Sequence, residues 1–175
     1  MFSDDASEQN MVITMDYQGN QVAETVIDSD DLEHVFESLD WIADPDPANT
    51  GTLYTLSAEE GSKVLYRIND GEITTQILSG DYDELIISGM AVAETGDTLY
   101  FVTEEWQEET LNAGLLVQYD LINNAEIARY SIVVEDDGNL QGVRDPSGVA
   151  VNAEQSRRYI TSDVDDALLY VFEIN

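Results

Sequence analysis

Carboxylates are the residues in this chain most able to do chemistry. Asp and Glu number 37 against 6 Lys and Arg, for a net charge of −31 over 175 residues. Oxygen ligands of this kind suit calcium, which takes about 6 to 8 of them. The acids that draw interest flank predicted strands: Glu37, Asp83, Glu84 and Asp145, and the run Asp163-Val164-Asp165-Asp166. In that run Asp163, Asp165 and Asp166 alternate well enough to share a cation, yet the glycine and distal glutamate of an EF-hand loop are missing. The competing reading is that all of these are solvated loop residues of a very acidic protein. His34 is the lone histidine, and there is no cysteine. No G-x-S-x-G elbow, P-loop, dinucleotide fingerprint or zinc-ligand spacing is present. Trp41, inside an apolar run, is expected in the core. Trp106, inside an acidic insertion, is the better candidate for a ligand-binding surface contact.

The charge also excludes. Nucleic acid and anionic membranes are bound through Lys and Arg, and this surface repels both. Lys63 is the sole lysine. Near-absence of lysine with acids in every segment fits adaptation to high salt, and it equally fits a general solubility device. No apolar run approaches the ~18 residues of a membrane helix, so no membrane insertion is expected. Residues 1–10 lack the basic and apolar regions of a signal peptide and read as a disordered acidic terminus, leaving 11–175 as a single domain. A processed chain would be extracellular or periplasmic, and an unprocessed one would suit the cytoplasm of a halophile.

The elements that must position these groups are short strands. Met11 to Asp16 and Gln21 to Ile27 form a hairpin about Gly19-Asn20. Four strands follow: 36–43, 52–57, 63–69 and 72–78, with Asp70-Gly71 as a hairpin turn. In the third of these Val64, Tyr66 and Ile68 share one face, and Lys63, Leu65 and Arg67 the other. The pattern restarts at 87–93, 98–103, 114–121 and 125–132, and TLYFVT matches TLYTLS with Tyr100 in the place of Tyr54. Two interruptions are expected to lack strands: the acidic insertion 104–113, with one helical turn, and a polar connection over 133–144. A last group opens at Pro146 and runs through 149–151, 159–162 and 168–174.

Repetition every ~40 to 50 residues, each unit four short strands, signals a β-propeller. A β-sandwich is the alternative all-β fold. The count gives about three blades and a hairpin, fewer than the 4 to 8 of typical closed rings. The chain is then a piece of a larger propeller, a small closed ring, or an open arc completed by partner chains. Open edges and apolar faces in such an arc invite protein partners or self-association.

The stretch DPSGVAVNAEQSRRYITSDVDDALLYVFEI resembles an NHL-type propeller blade, and ISGMAVAETGDTLYFVTEE is similar to the same opening. Similarity extends to the SdiA-regulated and esterase-like phytase propellers and, more distantly, to the SMP-30 lactonase group. The last resemblance implies carboxylates gathered around one divalent metal, calcium, where loops lead into the innermost strands. Glu37, Asp83, Glu84 and Asp145 stand at such places, although Ser88 and Ser147 occupy positions where asparagine is expected. The reading is a non-catalytic binding or structural module, with a calcium-dependent lactonase- or phosphoesterase-type hydrolase as the alternative.

Overall fold

The computed structural model describes residues 10–15, 18–27, 36–44, 46, 51–57, 61–69, 72–104, 106–108, 111–163 and 168–173. Of residues 1–10, expected as a disordered terminus, 1–9 lie outside the described residues and Asn10 lies in a strand; His34, Asp165, Asp166 and the turn residues Asp70 and Gly71 also lie outside the described residues. The chain divides into two compact units, Met1–His34 and Val35–Asn175. All the described secondary structure of both is antiparallel strand.

The first unit holds one hairpin. Strands β1 (Asn10–Met15) and β2 (Gln21–Ile27) pair from Asn10↔Ile27 to Met15↔Gln21. Gly19 takes a φ of 83° in the connection, a left-handed conformation that glycine adopts without a Cβ clash.

The second unit is built of three blades. Blade one orders β3 (Phe36–Ile42), β4 (Thr52–Ser57), β5 (Val64–Asn69) and β6 (Glu72–Ile77) as a meander. Blade two orders β7 (Ile87–Val92), β8 (Thr98–Thr103), β11 (Leu115–Asp120) and β12 (Ala125–Ser131). Two short strands interrupt it, β9 (Trp106–Glu108) and β10 (Leu111–Ala113). A further hairpin, β13 (Val133–Asp136) with β14 (Asn139–Gly142), precedes blade three. That blade has three strands, β15 (Pro146–Val151), β16 (Arg157–Ser162) and β17 (Leu168–Glu173).

Two expectations change here. The insertion 104–113 forms the β9–β10 hairpin, with Glu108 opposite Leu111, in place of a helical turn. The connection 133–144 carries the β13–β14 hairpin, with Asp136 opposite Asn139. Its two-residue turn, Asp137-Gly138, has φ of 48° and 80°. Positive φ at both positions is the mark of a type I′ turn, which the dipeptide Asp-Gly favours.

The core lies between blades. β8 sends Leu99 and Phe101 toward blade one, into a cluster with Tyr54, Leu56 and Leu65. It sends Tyr100 and Val102 the other way, into a cluster with Ile160, Val149 and Phe172 of blade three. Period-2 alternation therefore feeds two cores from one strand. Burying each large apolar side chain contributes roughly 1.5–3 kcal/mol. Both faces of β5 are covered as well: Leu65, Tyr66 and Ile68 are all buried, and so is Lys63 beside them.

Candidate functional site

The innermost strands β3, β7 and β15 share one irregularity. Each gains one residue on its partner near its start, between Phe36 and Leu39, between Ile87 and Gly89, and between Pro146 and Gly148. These β-bulges place Glu37, Ser88 and Ser147 at equivalent positions of the three strands.

Past the bulges the three strands are stitched together. Asp40 of β3 accepts the Val92 backbone N–H of β7 on Oδ2, at 2.7 Å, and its own neighbour's Trp41 N–H on Oδ1, at 2.8 Å. Ser88 Oγ of β7 donates to the Pro146 carbonyl of β15. The backbones meet at two glycines: a Cβ on Gly89 would lie 2.6 Å from the Gly148 Cα. No larger residue fits there without moving the strands apart.

The later halves of these strands line a groove of ≈ 700 Å³, formed by residues 39–44, 90–92, 94 and 149–151. Its exposed large apolar side chains are Leu39, 61% exposed, and Trp41, 57% exposed. Both stand on one face of β3, two residues apart. This corrects the expectation that Trp41 is core. Asp40 and Ile42 turn toward blade two, so alternation puts Leu39 and Trp41 on the opposite face of the sheet, away from that core. Gly51 backs the indole: with φ of 82°, a Cβ there would sit 2.9 Å from Trp41 Nε1 and 2.4 Å from the Ile42 carbonyl oxygen. Asp40, Asp44 and Glu94 add carboxylates to the apolar wall. Asp44 Oδ1 accepts the Asp46 N–H at 2.7 Å. An apolar floor with an aromatic ring and acids suits a ligand that is part apolar and part cationic.

The carboxylates singled out from the sequence stand elsewhere. Asp83 and Glu84 are exposed in the turn before β7, which is closed by Leu85 N–H to the Tyr82 carbonyl at 3.0 Å. The Asp83 carbonyl accepts the Gly61 N–H at 2.6 Å, tying this turn to blade one. Asp145 is exposed, with φ of 40°, just before β15. These acids precede β7 and β15, whereas the groove is built from the strands' later halves. Asp163 is exposed just after β16. Trp106 opens β9, opposite Ala113. Among the described residues no three His, Asp or Glu side chains gather in a group able to hold a metal ion.

Two polar clusters were not anticipated, one at the surface around Tyr82 and one buried between blades two and three. Tyr82 donates to Glu126 Oε2 at 2.8 Å, and the Arg129 guanidinium stands 5.3 Å from the Tyr82 ring centre. Burial pushes the Tyr82 hydroxyl well up, and its hydrogen bond to Glu126 adds to this. Burial also works against the Glu126 charge, but Arg129 and the Tyr82 hydroxyl outweigh it and hold that carboxyl below its ordinary value. In the second cluster buried Arg158 lies over the Tyr100 ring, 4.5 Å from its centre. Its Nη2 donates to the Tyr100 hydroxyl at 3.2 Å, and its Nη1 donates to the Gln155 carbonyl. Tyr100 in turn donates to Gln155 Oε1 at 2.7 Å. A signal was present in the sequence: Arg157-Arg158 is the only adjacent basic pair in a chain with 6 basic residues.

No family model matches the chain, and no curated protein matches it. Among solved structures it is similar to the Cps50 (Swd1) β-propeller domain of Myceliophteria thermophila, with a TM-score of 0.54 at 13% identity. The match covers 94% of this chain and 52% of that one, so the chain spans about half the length of the propeller domain it resembles. With the repeated four-stranded blades, this places the fold among the β-propellers.

Proposed function

We propose that the protein is a non-catalytic binding module, a propeller segment whose recognition surface is the groove along β3, β7 and β15. The observation that carries this reading is the exposure of Leu39 and Trp41 beside Asp40, Asp44 and Glu94 in one groove. Aromatic anchors in a concave, partly apolar site are the usual energetic centres of recognition. The ligand class that fits is a protein segment pairing an apolar residue with Lys or Arg, whose cation would lie against the indole. Repeats of NHL type are consistent with such a role, since blades of this kind serve as scaffolds for many unrelated sites.

The test uses tryptophan emission. Trp41 and Trp106 are the two tryptophans, so Trp106→Phe leaves a single reporter. Titration with short peptides carrying Phe or Leu next to Arg should shift and quench Trp41 emission in a saturable way. Peptides with Glu in place of Arg should not. Gly51→Ala, which pushes against the indole, should weaken binding by about tenfold or more, equal to ~1.4 kcal/mol. Emission that no peptide of this class changes overturns the reading.

A further inference from the structure

The two faces of blade three are unlike each other. One packs on blade two through Ile160, Val149 and Phe172. The opposite face is described by the register. Tyr159 stands between Ala150 and Val171, Thr161 stands between Gly148 and Leu169, and Arg157 lies opposite Glu173. Leu169 is 62% exposed and Val171 is 53% exposed.

The same positions of blade two have a known use. The bulges align β7 with β15 and so β8 with β16: Tyr100 corresponds to Tyr159, and Val102 to Thr161. Pairing to the third strand then matches Leu116 with Leu169. Tyr100, Val102 and Leu116 are the residues of blade two that bury themselves against the next blade. The open face of blade three thus repeats a blade-docking surface in exposed form.

We propose that this face is an interface between two copies of the chain, each docking a blade of the other against its own Tyr159, Thr161, Leu169 and Val171. Two observations select a second copy. The chain matches 52% of the length of a propeller domain, so the length of two copies together is that of one such domain. Within the described strands of this face the charged groups, Arg157 and Glu173, also pair with each other at 2.9 Å, in a chain of net charge −31. Two strongly acidic molecules meet with least repulsion at such a patch, and added salt screens the remainder. A surface row of Tyr, Leu and Val without net charge is also the composition that apolar interface centres favour.

The experiment is sedimentation of the full chain over a range of concentrations, in 0.1 M and 1 M NaCl. The expected result is a particle of twice the 19.4 kDa chain mass, with dissociation weakened at the higher salt. Leu169→Asp with Val171→Asp should raise the dissociation constant by about a hundredfold or more, since two central contacts become buried charges. Leu169→Thr with Val171→Thr keeps strand propensity and should raise it by about tenfold. This pair decides the matter if the aspartate variant fails to fold. Ile127→Asp, on the exposed strand β12, serves as the control and should leave association unchanged. A monomer in both salts overturns the proposal, as does a dimer that neither double variant weakens.

Discussion

Strands β8 and β16 hold the same place in successive blades and end in very different surroundings. All six residues of β8 are buried, whereas β16 alternates, with only Arg158, Ile160 and Ser162 buried. The backbone is alike in both: same length, same bulged inner partner, same antiparallel third strand. Within the second unit blade two packs against both blade one and blade three, and blade three packs against blade two through one face. Burial is therefore a property of position in the ring, and the side chains answer to it in part. Val102 gives way to Thr161 and Leu99 to Arg158, yet Leu169 stays apolar at the place of Leu116, and Val171 is apolar where blade two carries Gln118.

The strongest way to break this pair of blades is at their glycines. Gly89→Ala drives a methyl to 2.6 Å from the Gly148 backbone, and strands, not side chains, must move. A loss of about 3 kcal/mol is expected in denaturant unfolding, the upper range for overpacking. Gly148→Ala meets only the Thr161 Oγ1, at 2.8 Å, which can rotate away. It should cost about 1 kcal/mol or less. Equal losses would mean that the backbones do not touch as described.

The adjacent arginines sharpen the contrast at smaller scale. Arg158→Leu inserts the residue type that β8 carries at the equivalent Leu99, but it removes the stack on Tyr100 and leaves the Gln155 carbonyl without that donor. A destabilisation of about 2 kcal/mol is expected. Arg157→Leu removes an exposed, solvent-screened ion pair with Glu173 and should leave the denaturation midpoint nearly unchanged. Comparable effects from the two would show that the interior side of blade three is not distinct from its open side.

The smallest effects concern charge. Asp97 is held below the ordinary carboxylate range by the Thr95 and Thr98 hydroxyls, and Asp120 by the Asn123 amide groups and the Ile122 N–H. Glu126 is depressed as well. A depressed carboxylate stabilises the fold above its unfolded pKa of about 4 and loses that contribution as pH falls through its folded value. Diffuse repulsion acts in the opposite sense. At low salt the melting temperature should rise a few degrees as pH is lowered from 7 toward about 4.5, then fall below about 4. In 1 M NaCl, where the screening length is ~3 Å, the rise should vanish and the fall remain. A steady decline from pH 7 at low salt would show that net repulsion does not weaken this fold.

The blades were legible because their strands repeat in type as well as length: TLYTLS and TLYFVT became β4 and β8 with the bounds expected, and the glycine turn after β1 did its part. The β13–β14 hairpin was written in Asp137-Gly138 and hidden by the acids around it. The β9–β10 hairpin had weaker marks, since Glu and Leu favour helix as readily as an inserted strand. The groove was not legible. It joins residues near 41, 91 and 150, and only the ring brings those together. Acids chosen by their nearness to strand starts fell at the other end of the same strands.

The bulge in the inner strands carries a last consequence, for the grammar of the repeat. In β7 the residues packed toward blade one are Ile87, Met90 and Val92. In β15 those turned toward blade two are Pro146, Val149 and Val151, the first resting against Gly114. Each strand thus spaces its inward residues by three and then two, where an unbroken strand would keep two throughout. A pattern detector tuned to strict alternation loses phase at every blade. The informative signature of a unit in this chain is the limp in its first strand, and a one-residue deletion there would remove the bulge and return the inward spacing to two throughout.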